Sequence, residues 1–568
     1  MSGMSPKLQK TRNMLKGETL SNSSSRSASR ARTPTADGEE NGQLDFNFQS
    51  IEELLSKKLE SLQSFVEQQD SSGRTGYQGV EHGDQKQKST EQLNTSVIKS
   101  SSTGINDIIF SLSRSRTEVS SQSRELLLAQ LYKLVVSKPL SIYNETVIGT
   151  NKYVTEDKVQ DLVNVFTSGD YRSETEFLLL FRSIVAIIAG NIEEFSSFIS
   201  SELLSHIQKL IQDPPNGVIT NENKSNLITG YTGLLLVLYN GTSSFGIDEK
   251  ITWLLELSEG LSLSSIALHQ QIDAGDRDYS TIFEKDSDQK LLTESFAKAD
   301  AEASVAISGL HATGCLLTLL KRGEYLNERI TEIIPNLVDL MDNDENLEIS
   351  KAAGRVIALC YELFKYDDLE DIDDEFEDED FNSNAPYYEQ GALFSIVDRL
   401  ANLSDKKISK KDRKSSHSIF GDILNTLKCY TDNSKRAEIY KKSPEGISIQ
   451  KSLMDYTYVK LSKTRLIHIN SWFLYIRLIH LKWCFSFGLH NQLVGNETIR
   501  DILREPPTDY QIKYGYTPDT DSIDIDDNLS PGRGGEKHAS SDKRRTEKIR
   551  KARVNKLAEE VEDLNIRN

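Results

Sequence analysis

From about Ile105 to Leu403, apolar residues recur three and four positions apart in segment after segment, broken by short polar or Gly/Pro stretches. That period marks one side of an α-helix, so each segment needs a neighbour against which to bury its stripe. Ser173 and Glu176 form a capping box, and Phe177, Leu180, Phe181, Ile184, Val185 and Ile188 follow on one face. Gly190 stops this helix, Ile192 to Ile211 supplies its neighbour, and Pro214–Pro215 closes the pair. The rhythm repeats in Leu227–Leu238, Ile251–Leu261, Leu291–Phe296, Ala303–Leu320, Ile330–Met341, Ala352–Phe364 and Ala392–Leu403. No run alternates at period two for long enough to indicate a sheet. Helix pairs stacked at about 40–47 residues per unit are the signature of armadillo and HEAT solenoids, and roughly 300 residues would hold six or seven units. The expected fold is therefore all-α: an armadillo/HEAT-like helical repeat solenoid over 105–405, a small helical C-terminal domain over 406–510, and disordered flanks.

Two stretches are expected to interrupt the repeats. Gln270–Lys290 is polar and acidic and reads as an irregular loop. Asp367–Asp380 holds eleven acidic residues in fourteen positions, and carboxylates so dense repel one another. It is a solvated insertion, a contact for a basic partner, or an internal mask over a basic surface. Residues 1–104 form a tail in which the Ser/Arg/Thr-rich stretch 21–35 is passive or a phosphate acceptor. Within it Ile51, Leu54, Leu55, Leu59, Leu62, Phe65 and Val66 define one amphipathic helix near 50–68, which must dock on its own chain or in a partner groove. Residues 511–542 read as a disordered linker.

Chemistry finds little support. Four cysteines lie 45 or more residues apart with no CxxC pair, which argues against a zinc cluster and a disulfide framework. His468, His480 and His490 match no ligand spacing, and no nucleophile elbow, Walker loop, HExxH or dinucleotide fingerprint occurs. No catalytic residue, metal, cofactor or small-molecule substrate is expected. The start is polar, and the most apolar stretch, Trp472 to His490, is interrupted by Arg477, His480 and Lys482, so no membrane span is expected either. Trp472 and Trp483 either stack bases or belong to a helical core.

What remains is charge. The sum is −19, from 67 Lys+Arg against 86 Asp+Glu, but it averages over segregated blocks. Lys406, Lys407, Lys410, Lys411, Arg413 and Lys414 form one cationic cluster. The run 543–556 forms a second, with Lys543, Arg544, Arg545, Lys548, Arg550, Lys551, Arg553 and Lys556 against one acid. On a helix within 543–563 those eight cations distribute around the whole circumference, with a narrow Val554, Leu557, Val561 stripe only beyond. A membrane-surface helix needs one apolar face, whereas a rod surrounded by phosphate suits an arginine-rich segment in an RNA groove. A nuclear-localisation signal or a solubilising tail explains the run as well.

The block Ala352–Leu363, the acidic stretch after it, Lys410–Lys414 and Phe420–Leu424 resemble the interferon-related developmental regulator family. So do Ile467–Trp472, Gly488–Leu493 and Asn496–Ile502, giving a resemblance that runs in order over roughly 105–505. Gly421 and Gln492 depart from the family's pattern. The resemblance implies an armadillo-like scaffold linked to transcriptional co-regulation and to binding idle ribosomes, with a Lys/Arg-rich tail contacting ribosomal RNA. The expected function is a non-enzymatic ribosome- and rRNA-binding regulator, cytoplasmic and also nuclear, that represses translation or marks idle ribosomes by steric occupancy. The alternative is a nuclear co-regulator scaffold that binds protein partners through its helical repeats.

Overall fold

The computed structural model describes residues 104–506 apart from 138, 141–153, 200–202, 243, 280–285, 343–345, 367–384, 403–409, 433–434, 437–456 and 462–465. The N-terminal tail with its helix near 50–68, the acidic run 367–380, Lys406, Lys407, the linker 511–542 and the basic segment 543–563 lie outside the described residues.

The helices are α1 (Ile105–Leu112), α2 (Ser121–Ser137), α3 (Glu156–Thr167), α4 (Glu174–Gly190), α5 (Ile192–Phe198), α6 (Leu204–Gln212), α7 (Asn221–Tyr239) and α8 (Ile247–Tyr279). They continue with α9 (Asp286–Leu317), α10 (Glu324–Met341), α11 (Leu347–Leu363), α12 (Gln390–Ala401) and α13 (Lys410–Thr431). A short antiparallel pair, β1 (Thr457–Lys460) and β2 (Leu466–Ile469), precedes α14 (Trp472–Phe485), α15 (Leu489–Gly495) and α16 (Glu497–Ile502). The fold is thus mostly helical. Among the described residues one pair of strands departs from the expectation, and at four residues each they are too short to show a period-two pattern.

Packing explains the order. Within the row α2, α4, α7, α9, α11 and α13 each helix packs on the next, while α1, α3, α8, α10 and α12 each cover one member from outside. The middle of the row is accordingly covered nearly all round: all the residues of α11 from Ile349 to Leu363 are buried. Outer helices keep one wet side, as in α10, where Leu326, Ile330, Ile333, Ile334 and Leu337 point inward. From α4 onward the row helices begin at 174, 221, 286, 347 and 410, so successive units are 47, 65, 61 and 63 residues long. Only the first meets the expected spacing.

One cause of the lengthening is a misread loop. Helix α8 runs through 270–279 and α9 begins at Asp286, so the stretch expected to be irregular is largely helical and the segments Leu291–Phe296 and Ala303–Leu320 join into one helix. The two long helices support each other: Ser265 Oγ donates to Ala299 O at 2.8 Å, and the His269 ring meets Phe296 edge-on at 6.1 Å. The capping box at Ser173 is also half of what its sequence suggests. Ser173 Oγ accepts the Glu176 N–H at 3.1 Å, but the Glu176 carboxylate turns to Arg124 and Arg116, each at 2.9 Å.

Helix α14 lies across the row, touching α4, α7, α9 and α11, and α15 then reaches α2. Thirteen of its fourteen residues are buried. It shares one continuous apolar core with everything from Ile105 to Leu503. Among the described residues no helix is long and apolar enough to cross a membrane.

Candidate nucleic-acid interface

Of the cations expected to touch RNA, the first cluster is partly described and the second is not. Lys410, Lys411, Arg413 and Lys414 occupy the first turns of α13, and Arg413 and Lys414 are exposed. The helix is anchored by Phe420, Ile423 and Leu427, all fully buried. His417 Nδ1 meets Ala401 O at 3.0 Å, fixing α13 against the end of α12. Four positive charges at the positive end of a helix oppose its macrodipole, by about 0.3–1 kcal/mol each where exposed. Lys543, Arg544, Arg545, Lys548, Arg550, Lys551, Arg553 and Lys556 lie outside the described residues.

The blocks that carried the family resemblance have a different job. Ser471 caps α14, its hydroxyl accepting the Leu474 N–H at 3.3 Å. The Trp472 indole donates to Thr426 Oγ1 at 2.8 Å and the Trp483 indole to Asn226 Oδ1 at 3.0 Å, so both rings are core and neither is free to stack a base. Gly488 sits so close to α2 that a Cβ would lie 1.9 Å from Val136 O. Beside it Asn491 Nδ2 donates to Ser137 O at 2.6 Å, and Asn496 Nδ2 to Gly190 O at 2.8 Å. At Gly421, by contrast, a Cβ would meet open space.

Three buried ionisable side chains escaped the sequence reading and hold α14 at both ends and in the middle. The Glu362 carboxylate accepts the Trp472 N–H at 2.7 Å and the Phe473 N–H at 3.3 Å, at the positive end of the helix. Burial and the neighbouring Glu505 push its carboxyl above the usual range, against those two donors. At the other end Arg182 Nη1 donates to Trp483 O at 2.9 Å and stacks over the Trp483 ring at 4.1 Å. In the middle Arg477 donates to Thr318 Oγ1 at 2.9 Å, Thr318 O at 2.8 Å, Asn240 Oδ1 at 2.7 Å and Ile502 O at 3.1 Å. Those acceptors cluster at the C-terminal ends of α9, α7 and α16, where partial negative charge gathers, so a guanidinium is tolerated there without a carboxylate. Burial lowers its pKa only to about 10, and it stays charged at neutral pH.

The remaining titratable groups in this core are quiet. His480 lies between Thr229 O at 3.4 Å and His311 O at 3.3 Å, and desolvation pulls it down to about 4. Desolvation lifts the Cys315 and Cys484 thiols to about 12. Neutral imidazoles and protonated thiols without a solvent path are packing groups. Among the described residues no cluster of His, Cys, Asp and Glu could hold a metal ion.

Known proteins point the same way as the motifs. Residues 277–428 match the family described as interferon-related developmental regulator. That stretch takes in the end of α8, all of α9 to α12, the acidic run and most of α13 with its four cations. The blocks from Ile467 onward lie beyond it. Interferon-related developmental regulator 2 of Mus musculus is 25% identical over 220 residues, which are 38% of this chain and 41% of the mouse protein, so well under half of either is aligned. The chain therefore carries an interferon-related developmental regulator domain over residues 277–428, and its ordered motifs resemble that family.

Proposed function

We propose that the chain is a non-enzymatic regulator that binds ribosomes through rRNA phosphates and acts by occupying space, with no bond made or broken. The observation that carries this reading is the run 543–556: eight cations and one acid, spread around a helical circumference with no apolar side. The exposed cations at the start of α13 supply a second contact, and the helix pairs, read as armadillo-like repeats, supply a rigid frame. The working compartment is the cytoplasm, with access to the nucleus through the same basic run.

Truncation after Ser541 is expected to abolish cosedimentation with ribosomes while leaving helical content unchanged. Binding by the intact chain should weaken steeply with salt, because each neutralised phosphate releases a counterion. Ribosome pelleting that survives the truncation, or that ignores salt, would remove the role given to this segment. A nuclear co-regulator would instead show no RNase-sensitive association in a sucrose gradient.

A further inference from the structure

Helices α8 and α10 lie side by side on the outside of the molecule and run in the same direction. Arg329 Nη2 donates to Thr252 Oγ1 at 2.6 Å, and Asn336 Nδ2 to Glu259 Oε1 at 2.7 Å, so the contact advances along both helices together. Their shared outer face is acidic. Glu249 and Glu256 on α8 and Glu328 and Glu332 on α10 are exposed, and Arg329 between them is already held by Glu332 at 2.6 Å and Asp248 at 3.8 Å. At the end where both helices begin, the face carries two exposed aromatics, Phe245 at 90% and Tyr325 at 54% of full exposure. Exposed aromatics beside a rim in which carboxylates outnumber the one guanidinium, Arg329, mark an interaction surface for a cationic partner with some apolar character.

We infer that this face is the docking surface for the chain's own Lys/Arg-rich segment, residues 543–561. Three observations choose that occupant. The charges are complementary, since 543–556 carries eight bases and one acid. The apolar parts match, because Val554, Leu557 and Val561 follow the cations as one stripe that suits Phe245 and Tyr325. The third is where the described chain ends. Glu505, one residue before the last described position, pairs with Arg322 at 2.8 Å, and Arg322 stands three residues before Tyr325. Thirty-seven positions separate 506 from 543. A flexible linker of that length has an end-to-end distance of about 30–37 Å, and α10, with 18 residues, is about 27 Å long. The segment is therefore delivered along the face at high effective concentration, and a polyanion must compete with the face to capture it.

The test uses the full chain alone, with no RNA or ribosomes, so its result is independent of whether the segment contacts rRNA. Zero-length carboxyl-to-amine crosslinking at low salt, followed by peptide mass spectrometry, should join Lys543, Lys548, Lys551 or Lys556 to Glu249, Glu256 or Glu328. These links should disappear at about 0.5 M salt, where exposed charges are screened within a few ångströms. The combined variant Glu249→Lys, Glu256→Lys, Glu328→Lys should lose them and expose the segment to trypsin, cleaved about fivefold faster or more. If that variant fails to fold by circular dichroism, the single Glu256→Lys change is read by the same protease rate. Crosslinks confined to the acidic run 367–380 or to the linker's own aspartates, or a protease rate unmoved by charge reversal, overturn the proposal.

Discussion

Arg182 and Arg477 carry the same charge as Arg413 and Lys414, yet the first pair keeps 1% and 4% of its surface and the second pair lies open to solvent. The buried pair is bonded mainly to backbone carbonyls at helix ends and completes the fold. The exposed pair sits in the first turns of α13, where positive charge opposes the helix macrodipole. Residue type alone does not separate the two settings; what separates them is burial, 1% and 4% exposure against open surface.

That contrast can be broken most directly at Arg477. Replacing it by Met keeps the volume but strands Thr318 O, Ile502 O and the Asn240 amide without their donor. Each stranded buried acceptor costs about 1–3 kcal/mol, so the variant should lose ~3 kcal/mol or more in urea unfolding. An unchanged midpoint would mean that Arg477 is not an architectural charge.

His480 offers a pH readout of the same buried core. Its folded pKa of about 4 lies below the ordinary 6.5, so between those values the unfolded chain binds a proton that the folded one refuses. Stability conferred by the neutral ring is therefore complete above pH 6.5 and drains away as pH falls toward 4, by ~3 kcal/mol at most. The His480→Gln variant should flatten part of that slope, with the rest left to His311, which burial also holds well below its ordinary value. Equal slopes in variant and parent would show that the ring is hydrated.

The smallest effect on stability is expected at the exposed pair. Arg413→Gln with Lys414→Gln should change unfolding by less than ~0.5 kcal/mol, or stabilise slightly by relieving the helix end. The same double variant should reduce the salt dependence of polyanion binding, by up to two units of log–log slope. A binding curve identical to the parent's would leave the first cluster without a role.

How far the sequence reveals these features depends on whether the cause is local. Segments such as Ala352–Phe364 and Ile330–Met341 announced themselves because a buried stripe repeats every turn. Residues 270–279 and 286–290 did not, since they gain helix from the partner helix and show no stripe of their own. Arg413 and Lys414 were readable as a charge cluster. Arg182, Glu362 and Arg477 were not, because their partners stand far away in the chain: Glu362 meets Trp472 across 110 positions, and Arg477 meets Thr318 across 159. In one dimension a charge that ends up buried looks like any surface charge.

The course of α14 also sets a timetable. Arg182 and Trp483, which close the core on one another, are 301 residues apart. A chain made from its N-terminus assembles α2, α4, α7, α9 and α11 long before residue 485 leaves the synthetic machinery. Until then the apolar side that α14 covers has no cover. Contacts of such separation make for slow final steps and for intermediates that aggregate. Changes that delay the arrival of Trp472–Phe485 should therefore reduce yield without altering the stability of the finished molecule.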